Sequence, residues 1–257
     1  MSGNIKPRYA VLSYNFNHYE IVHEIENPQE DVEYIMVSDD KTLTSSTWTI
    51  KYRESTGDPF YDCFYVRYHP FEFVSTDIVI KIDGSMVVKD SLDPIIEEFE
   101  SEGADICLGL HPTRSEMRPE YSAWVSQRGY DVYQAIKCFD FLQNGLNYPI
   151  EGYHGLYQYN FMIQRNDRKN NLLNDMTFSF LRYLAPEGKE IDRLDQTIGS
   201  AVINKFFKDM KVLPVSGNLF DSRFFAWCVH GTNHPMTSKC PTQGWLFNKR
   251  ITTYEPK

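Results

Sequence analysis

Four short apolar runs, each ending on polar residues, set the tightest limit on how this chain can fold. They are "RYAVLSYNF" (Arg8 to Phe16), "VEYIMVSDD" (Val32 to Asp40), "TDIVIKIDGS" (Thr76 to Ser85) and "ADICLGL" (Ala104 to Leu110). The third is the clearest. Ile78, Ile80 and Ile82 alternate with Val79 and Lys81, a period of two with many β-branched residues, which predicts a buried strand. Between the third and fourth runs lies "KDSLDPIIEEFESEG". Ser91 or Asp93 serves there as helix cap, Pro94 falls in the first turn, and Gly103 ends the helix. Strand, helix and strand in succession predict an α/β chain whose strands end together on one polar edge, where open α/β sheets bind ligands.

The second half is less regular. A helical region is expected from about Arg118 to Asn144, followed by the Gly-, Tyr- and His-rich "YPIEGYHGLYQYNFMIQRND" and a further helix. In "RLDQTIGSAVINKFF", Ile198, Val202 and Phe206 recur at helical spacing, so Asp195 and Gln196 open an amphipathic helix. The tail from Asp221 reads as loop. No repeat, low-complexity tract or linker divides the 257 residues. One compact domain is therefore expected, with a nucleotide-binding half over 1–115 and an acceptor-binding and catalytic half over 116–257.

Composition removes several classes of function. With 42% hydrophobic and 24% charged residues, the chain is an ordinary globular one. Its net charge of −9 disfavours a nucleic-acid partner, which calls for clustered Lys and Arg. Five widely spaced cysteines, without a C-x-x-C pair, fit a reducing compartment better than a disulfide framework or a zinc site. No run approaches the ~18 apolar residues of a membrane span. A cytoplasmic location is expected, peripheral to a membrane at most. G-x-G-x-x-G, G-x-x-x-x-G-K-[ST] and G-x-S-x-G are all missing, which disfavours dinucleotide dehydrogenases, P-loop enzymes and α/β-hydrolases.

The polar residues that could carry chemistry lie at the strand ends and in the second half. Asp83, Gly84 and Ser85 form a corner at the carboxyl end of the third strand. Asp-Gly is also a plain turn dipeptide, and Gly84 allows either a tight turn or a close backbone approach to a ligand. Asp195 in a first turn also complements the helix dipole. His230 and His234 lie in the tail. Ser13, Tyr14 and Asn15 follow the first strand and Asp39 and Asp40 the second, where they could bind a ligand or simply make turns.

The order of these features resembles that of GT-A glycosyltransferases. More narrowly, "VRYHPFEF", "TDIVIKIDGSMVV", "LGLHPTRSEM", "YNFMIQRND" and "DRLDQTIGSAV" resemble a glycosyltransferase-like family that takes in plant mucilage-related proteins, proteins called alkaline ceramidases, and bacterial capsule enzymes. The resemblance covers Arg67 to about Val202. It implies a GT-A-like, Rossmann-like mixed sheet flanked by helices, and transfer of a sugar from a nucleoside-diphosphate sugar, a UDP-sugar first, to a glycan or polysaccharide.

In that family's terms Asp83, Gly84 and Ser85 hold the donor diphosphate, and Ser13, Tyr14, Asn15, Asp39 and Asp40 hold base and ribose. Asp195 and Gln196 are the catalytic pair, with Asp195 either general base or donor-positioning carboxylate. His111, Arg114, Tyr153, His154, Arg165 and Arg193 line the substrate side. The departing diphosphate needs positive charge. One source is Mn²⁺ or Mg²⁺ on Asp83, Ser85 and His230, the last chosen over His234. Ser85 stands where the family's D-x-D corner has a second carboxylate, and a hydroxyl is a poor ligand for a hard cation. The other source is a set of cations, Arg67, Lys81, Arg114, Arg165 or Arg193. A non-catalytic carbohydrate- or nucleotide-binding module is the rival. A nucleotidyltransferase is a third option, disfavoured because "SYNFNHYE" lacks a Gly-rich basic loop.

Overall fold

The computed structural model describes residues 6–111, 116–128, 132–151, 156–185, 194–216, 223–227 and 246–247. Strands β1 (Tyr9–Asn15), β2 (Val32–Ser38) and β3 (Thr49–Tyr52) come first, followed by helix α1 (Pro59–Tyr68). Next are β4 (Ile78–Ile82), β5 (Met86–Val88), α2 (Asp93–Ser101) and β6 (Ile106–Leu110). Helices α3 (Met117–Arg128) and α4 (Val132–Asp140) lead through a π-helical turn to β7 (Tyr157–Arg165). The chain continues as α5 (Arg168–Leu184), α6 (Leu194–Phe206), β8 (Val212–Ser216), β9 (Phe225–Trp227) and β10 (Leu246–Phe247).

The main sheet has eight strands in the order β10-β8-β6-β7-β4-β1-β2-β3, and β5 pairs with β9 in a separate two-stranded ribbon. β1 is parallel to β2 and β4, β2 to β3, and β6 to β8. β7 runs antiparallel between β4 and β6, which makes the sheet mixed. Strand alternation sends side chains to opposite faces. Ile78, Ile80 and Ile82 join Tyr9, Val11 and the α2 residues Ile95, Ile96 and Phe99 on one face. Val79 joins Ala10, Leu12, Tyr14 and the α1 residue Val66 on the other. On that second face, α5 and α6 close a further core against β6 and β7, with Phe64 and Tyr68 of α1 contributing.

The start of α1 is fixed by local capping. The Asp58 carboxylate accepts from the backbone N–H groups of Phe60 and Tyr61 at 3.0 and 3.1 Å, and Pro59 presets the first helical φ. The last turn of the helix delivers Arg67 and Tyr68 to the carboxyl end of β1 and β4. α2 is capped differently from the expectation. Leu92 occupies the N-cap, Ser91 Oγ accepts from Asp93 N–H at 3.2 Å, and Asp93 instead receives the Tyr9 hydroxyl and Arg8. Gly103 follows the helix with φ +57°, as a helix-ending glycine should.

Candidate functional site

The corner after β4 is a tight turn. Met86 N–H donates to the Asp83 carbonyl at 2.9 Å, and Asp83 N–H donates across the sheet to the Asn160 carbonyl of β7 at 3.1 Å. Gly84 lies against the chain itself rather than against open space: a Cβ there would stand 2.7 Å from the Tyr14 carbonyl oxygen. Its close approach therefore joins the β4 corner to the end of β1. Ser85 is fully buried, and its hydroxyl has no partner among the described residues.

Above this corner the Arg67 guanidinium collects three groups. Nη2 donates to Asp83 Oδ1 at 2.5 Å, Nε donates to the Tyr14 hydroxyl at 3.1 Å, and Nη1 is hydrogen-bonded to Asp195 Oδ2. The Tyr14 hydroxyl in turn donates to Asp83 Oδ1 at 2.7 Å. Asp195 is fixed from its other side by the N–H of Gln196, which donates to Oδ1 at 2.8 Å. The side chains of Arg67 and Asp195 are 10% and 5% exposed and that of Asp83 is 24% exposed, so the cluster meets solvent mainly at Asp83. Burial alone would disfavour the guanidinium's charge. Tyr14, Asp83 and Asp195 reverse this and hold Arg67 well above the ordinary range, while burial pushes the Tyr14 phenol well up.

Tyr159 of β7 and Tyr68 of α1 border the same cluster, their ring centroids 6.4 Å apart. The Tyr159 hydroxyl sits over Gly199, one helical turn beyond Asp195, so close that a Cβ on Gly199 would lie 2.2 Å from it. The hydroxyls of Tyr68 and Tyr159, both amide atoms of Asn160 and Oε1 of Gln196 are buried without hydrogen-bond partners among the described residues. Composition and spacing gave no signal for Tyr68, Tyr159 or Asn160. They reach the site only through the antiparallel placement of β7 and the end of α1.

The structure thus brings Tyr14, Arg67, Asp83, Asp195 and Gln196 together at one edge, and gives several other expected residues different work. The Asn15 amide bonds both backbone groups of Glu20, at 2.7 Å to the carbonyl and 3.1 Å from the N–H. Asp40 caps its own turn by accepting from Thr42 N–H and Oγ1 at 2.8 and 2.7 Å. Asp39 accepts from Asn17 N–H at 3.0 Å, tying the loop after β1 to the loop after β2. Ser13 is buried with its hydroxyl unpartnered among the described residues.

Lys81 was expected to face the donor. It is buried instead, donating to the Arg67 carbonyl at 2.9 Å and to Gln164 Oε1 at 2.7 Å, and burial followed by Arg67 drives its ammonium well below the ordinary range. Arg165 pairs in register with Ile78 at the opposite end of β4, where it donates to the Ala104 carbonyl at 3.3 Å and lies over Phe99. The expectation that it lines the substrate side fails, because β7 runs antiparallel and carries its last residue away from the Asp83 edge. His111 does follow β6 at the Asp83 edge, with Nε2 3.5 Å from Glu120 Oε2 of α3. Arg114, Tyr153, His154, Arg193, His230 and His234 lie outside the described residues.

Asp83 Oδ1 is already shared by Arg67 and Tyr14, Ser85 is enclosed in the turn, and no group of three His, Cys, Asp or Glu side chains capable of holding a metal occurs among the described residues. No described helix is long and apolar enough to cross a membrane.

No protein-family model matches the chain, and comparison with curated proteins gives no match. The class is therefore defined by the fold and its edge. It is an α/β protein with a mixed sheet between helices, compatible with a Rossmann-like domain, whose carboxyl edge bears a buried arginine joined to two aspartates and a tyrosine.

Proposed function

We propose that this protein is a glycosyltransferase of GT-A type that moves a sugar from a nucleoside-diphosphate sugar, a UDP-sugar first, to a glycan acceptor in the cytoplasm. The observation that carries the reading is the Arg67 cluster. Two carboxylates from opposite halves of the chain, Asp83 and Asp195, converge on one guanidinium at the ligand-binding edge of an α/β sheet.

In this reading Asp83 meets the donor at the solvent-facing side and Asp195 lies beneath it. With Oδ2 on Arg67 and Oδ1 on the Gln196 N–H, Asp195 is well oriented but weakened as a proton acceptor. It is better suited to anchoring donor hydroxyls than to deprotonating an acceptor. The charge of the departing diphosphate falls to residues other than Arg67, which two aspartates already neutralise, and Lys81, which is enclosed. Arg114, Arg193 and His154 are the candidates for that role. No step is assigned to a metal.

One observation favours a second reading, a carbohydrate- or nucleotide-binding module without turnover. Both carboxylates at the edge are committed to the same cation, which leaves neither as an unencumbered base. Calorimetry with UDP and GDP, with Mn²⁺ or with EDTA, separates the readings when joined to an assay of nucleotide release from UDP- and GDP-hexoses. Transfer predicts UDP binding that survives EDTA, hexose-dependent release of UDP, and, from the lost positioning of the donor, a fall of about a hundredfold in release for Asp195→Asn. Binding without release selects the module. A folded protein that binds neither nucleotide removes both readings and leaves Asp83 a turn residue.

A further inference from the structure

A tyrosine hydroxyl has one proton to donate and two lone pairs with which to accept. In Tyr14 all three are used inside the protein. The hydroxyl donates to Asp83 Oδ1 at 2.7 Å, accepts from Arg67 Nε at 3.1 Å, and accepts from Arg67 Nη2 as well. Burial holds the phenol well above its ordinary range, so the proton stays on the oxygen and the bond to Asp83 keeps that direction. On sequence alone Tyr14 is a contact for base or ribose. Once folded, it is 8% exposed and its hydroxyl has no capacity left for a ligand.

Asp83 is in the opposite condition. Its backbone is fixed on both sides, the N–H donating to the Asn160 carbonyl at 3.1 Å and the carbonyl accepting from Met86 N–H at 2.9 Å. Its side chain is held through one oxygen. Oδ1 receives both Tyr14 and Arg67 Nη2, the latter at 2.5 Å, and Oδ2 has no hydrogen bond among the described residues. The side chain is 24% exposed, against 10% for Arg67 and 5% for Asp195, so within this cluster Asp83 is where a ligand can arrive. A carboxylate with one oxygen pinned and the other open to solvent is a preorganised acceptor that loses little rotamer freedom on binding. The main chain of Tyr14 bears on the same corner, since a Cβ on Gly84 would stand 2.7 Å from the Tyr14 carbonyl oxygen.

We infer that Tyr14 is a positioning residue that acts on a ligand only through Asp83: its hydroxyl keeps Oδ1 turned inward and so presents Oδ2 to a hydroxyl or N–H of the nucleotide. The inference rests on the reading of this edge as the nucleotide-binding edge. Arg67 holds the same oxygen but is also bonded to Asp195, so Tyr14 is the residue at which positioning can be separated from charge. Positioning differs measurably from direct contact, because two residues that act through one bond lose their effect once rather than twice.

Calorimetry of UDP with the full chain in EDTA, on wild type, Tyr14→Phe, Asp83→Ala and the double variant, closes a cycle. Tyr14→Phe should weaken UDP about fivefold and Asp83→Ala about tenfold. On the Asp83→Ala background, Tyr14→Phe should add less than about a twofold loss. Additive losses overturn the inference, since Tyr14 would then act on the nucleotide independently of Asp83 or through the fold at large. Unchanged UDP binding by Tyr14→Phe overturns it too. A crystal structure of the wild type with UDP supplies a test that needs no variant. The Tyr14 hydroxyl should remain on Oδ1 with Oδ2 within hydrogen-bond distance of UDP, and a Tyr14 hydroxyl bonded to UDP itself would refute the positioning role. A folded wild type that binds no UDP removes the nucleotide reading and this inference together, whereas UDP binding with an additive cycle removes this inference alone.

Discussion

Arg67 turns two separate carboxylates into one site. A guanidinium presents a planar fork of donors that can satisfy Asp83, Asp195 and Tyr14 together, which the single ammonium of a lysine cannot do. Removing it would leave Asp195 buried without its counter-ion, and breaking a buried pair by deleting one partner costs about 3–5 kcal/mol. Arg67→Met should therefore lower the unfolding free energy, read from urea denaturation, by an amount of that order, and Asp195→Asn on the same background should recover part of it. Equal midpoints for wild type and Arg67→Met would show that the cluster contributes nothing to stability. Gly199 makes a second test at this scale. A Cβ there would stand 2.2 Å from the Tyr159 hydroxyl and 2.4 Å from its Cζ, both belonging to a rigid ring held by β7. Gly199→Ala should destabilise by about 1–3 kcal/mol, against the usual gain for that substitution in a helix. A rise in thermal midpoint would contradict the contact.

Among the elements, β7 was the hardest to find in the sequence and the most consequential. "YQYNFMIQR" interleaves Gln158, Asn160 and Gln164 with aromatics, a pattern that gives no clean period of two for an apolar face. Every residue from Tyr157 to Gln164 is nevertheless buried. The polar ones find partners that no local window reveals: Gln164 accepts from Lys81 and exchanges hydrogen bonds with Asn174 of α5. β4 and α6 were legible because their apolar spacing is local. The Arg67–Asp195 pair, 128 positions apart, was not, since only the folded sheet sets which cation meets which carboxylate. The contact of Lys81 on β4 with Gln164 on β7 also makes stability depend on pH. Burial and Arg67 lower the folded-state pKa of Lys81 from 10.5, so between that lowered value and 10.5 the unfolded chain binds more protons than the folded one. Stability then rises with pH over that window, and the burden of the buried charge is fully felt below it. The urea midpoint of the wild type should climb more steeply from pH 7 to pH 10 than that of Lys81→Met. Parallel profiles would mean that Lys81 holds its proton as firmly in the core as in the unfolded chain.

Across the whole molecule, the two halves read from the sequence are one sheet. β6, in the first half, has only β7 and β8 as neighbours, and both come from the second half. The site is divided in the same way, with Tyr14, Arg67 and Asp83 on one side of residue 115 and Tyr159, Asn160 and Asp195 on the other. Without residues 116–257, β6 would have no strand to pair with and β4 would lose one of its two neighbours. Phe64, Tyr68, Ile106 and Leu108 would lose the α5 and α6 residues that cover them. An unpaired apolar strand and an uncovered sheet face leave too little buried surface to offset chain entropy, and invite association through the open edge. A fragment of residues 1–115 should therefore show a broad, non-cooperative urea transition and concentration-dependent aggregation. Co-expression with 116–257 should restore a single sharp transition and, if sugars bind at the shared edge, the sugar binding as well. Cooperative unfolding of 1–115 alone as a monomer would mean that β6 and β4 are stable without β7, and the two halves would then be separate folding units whose site forms only on docking.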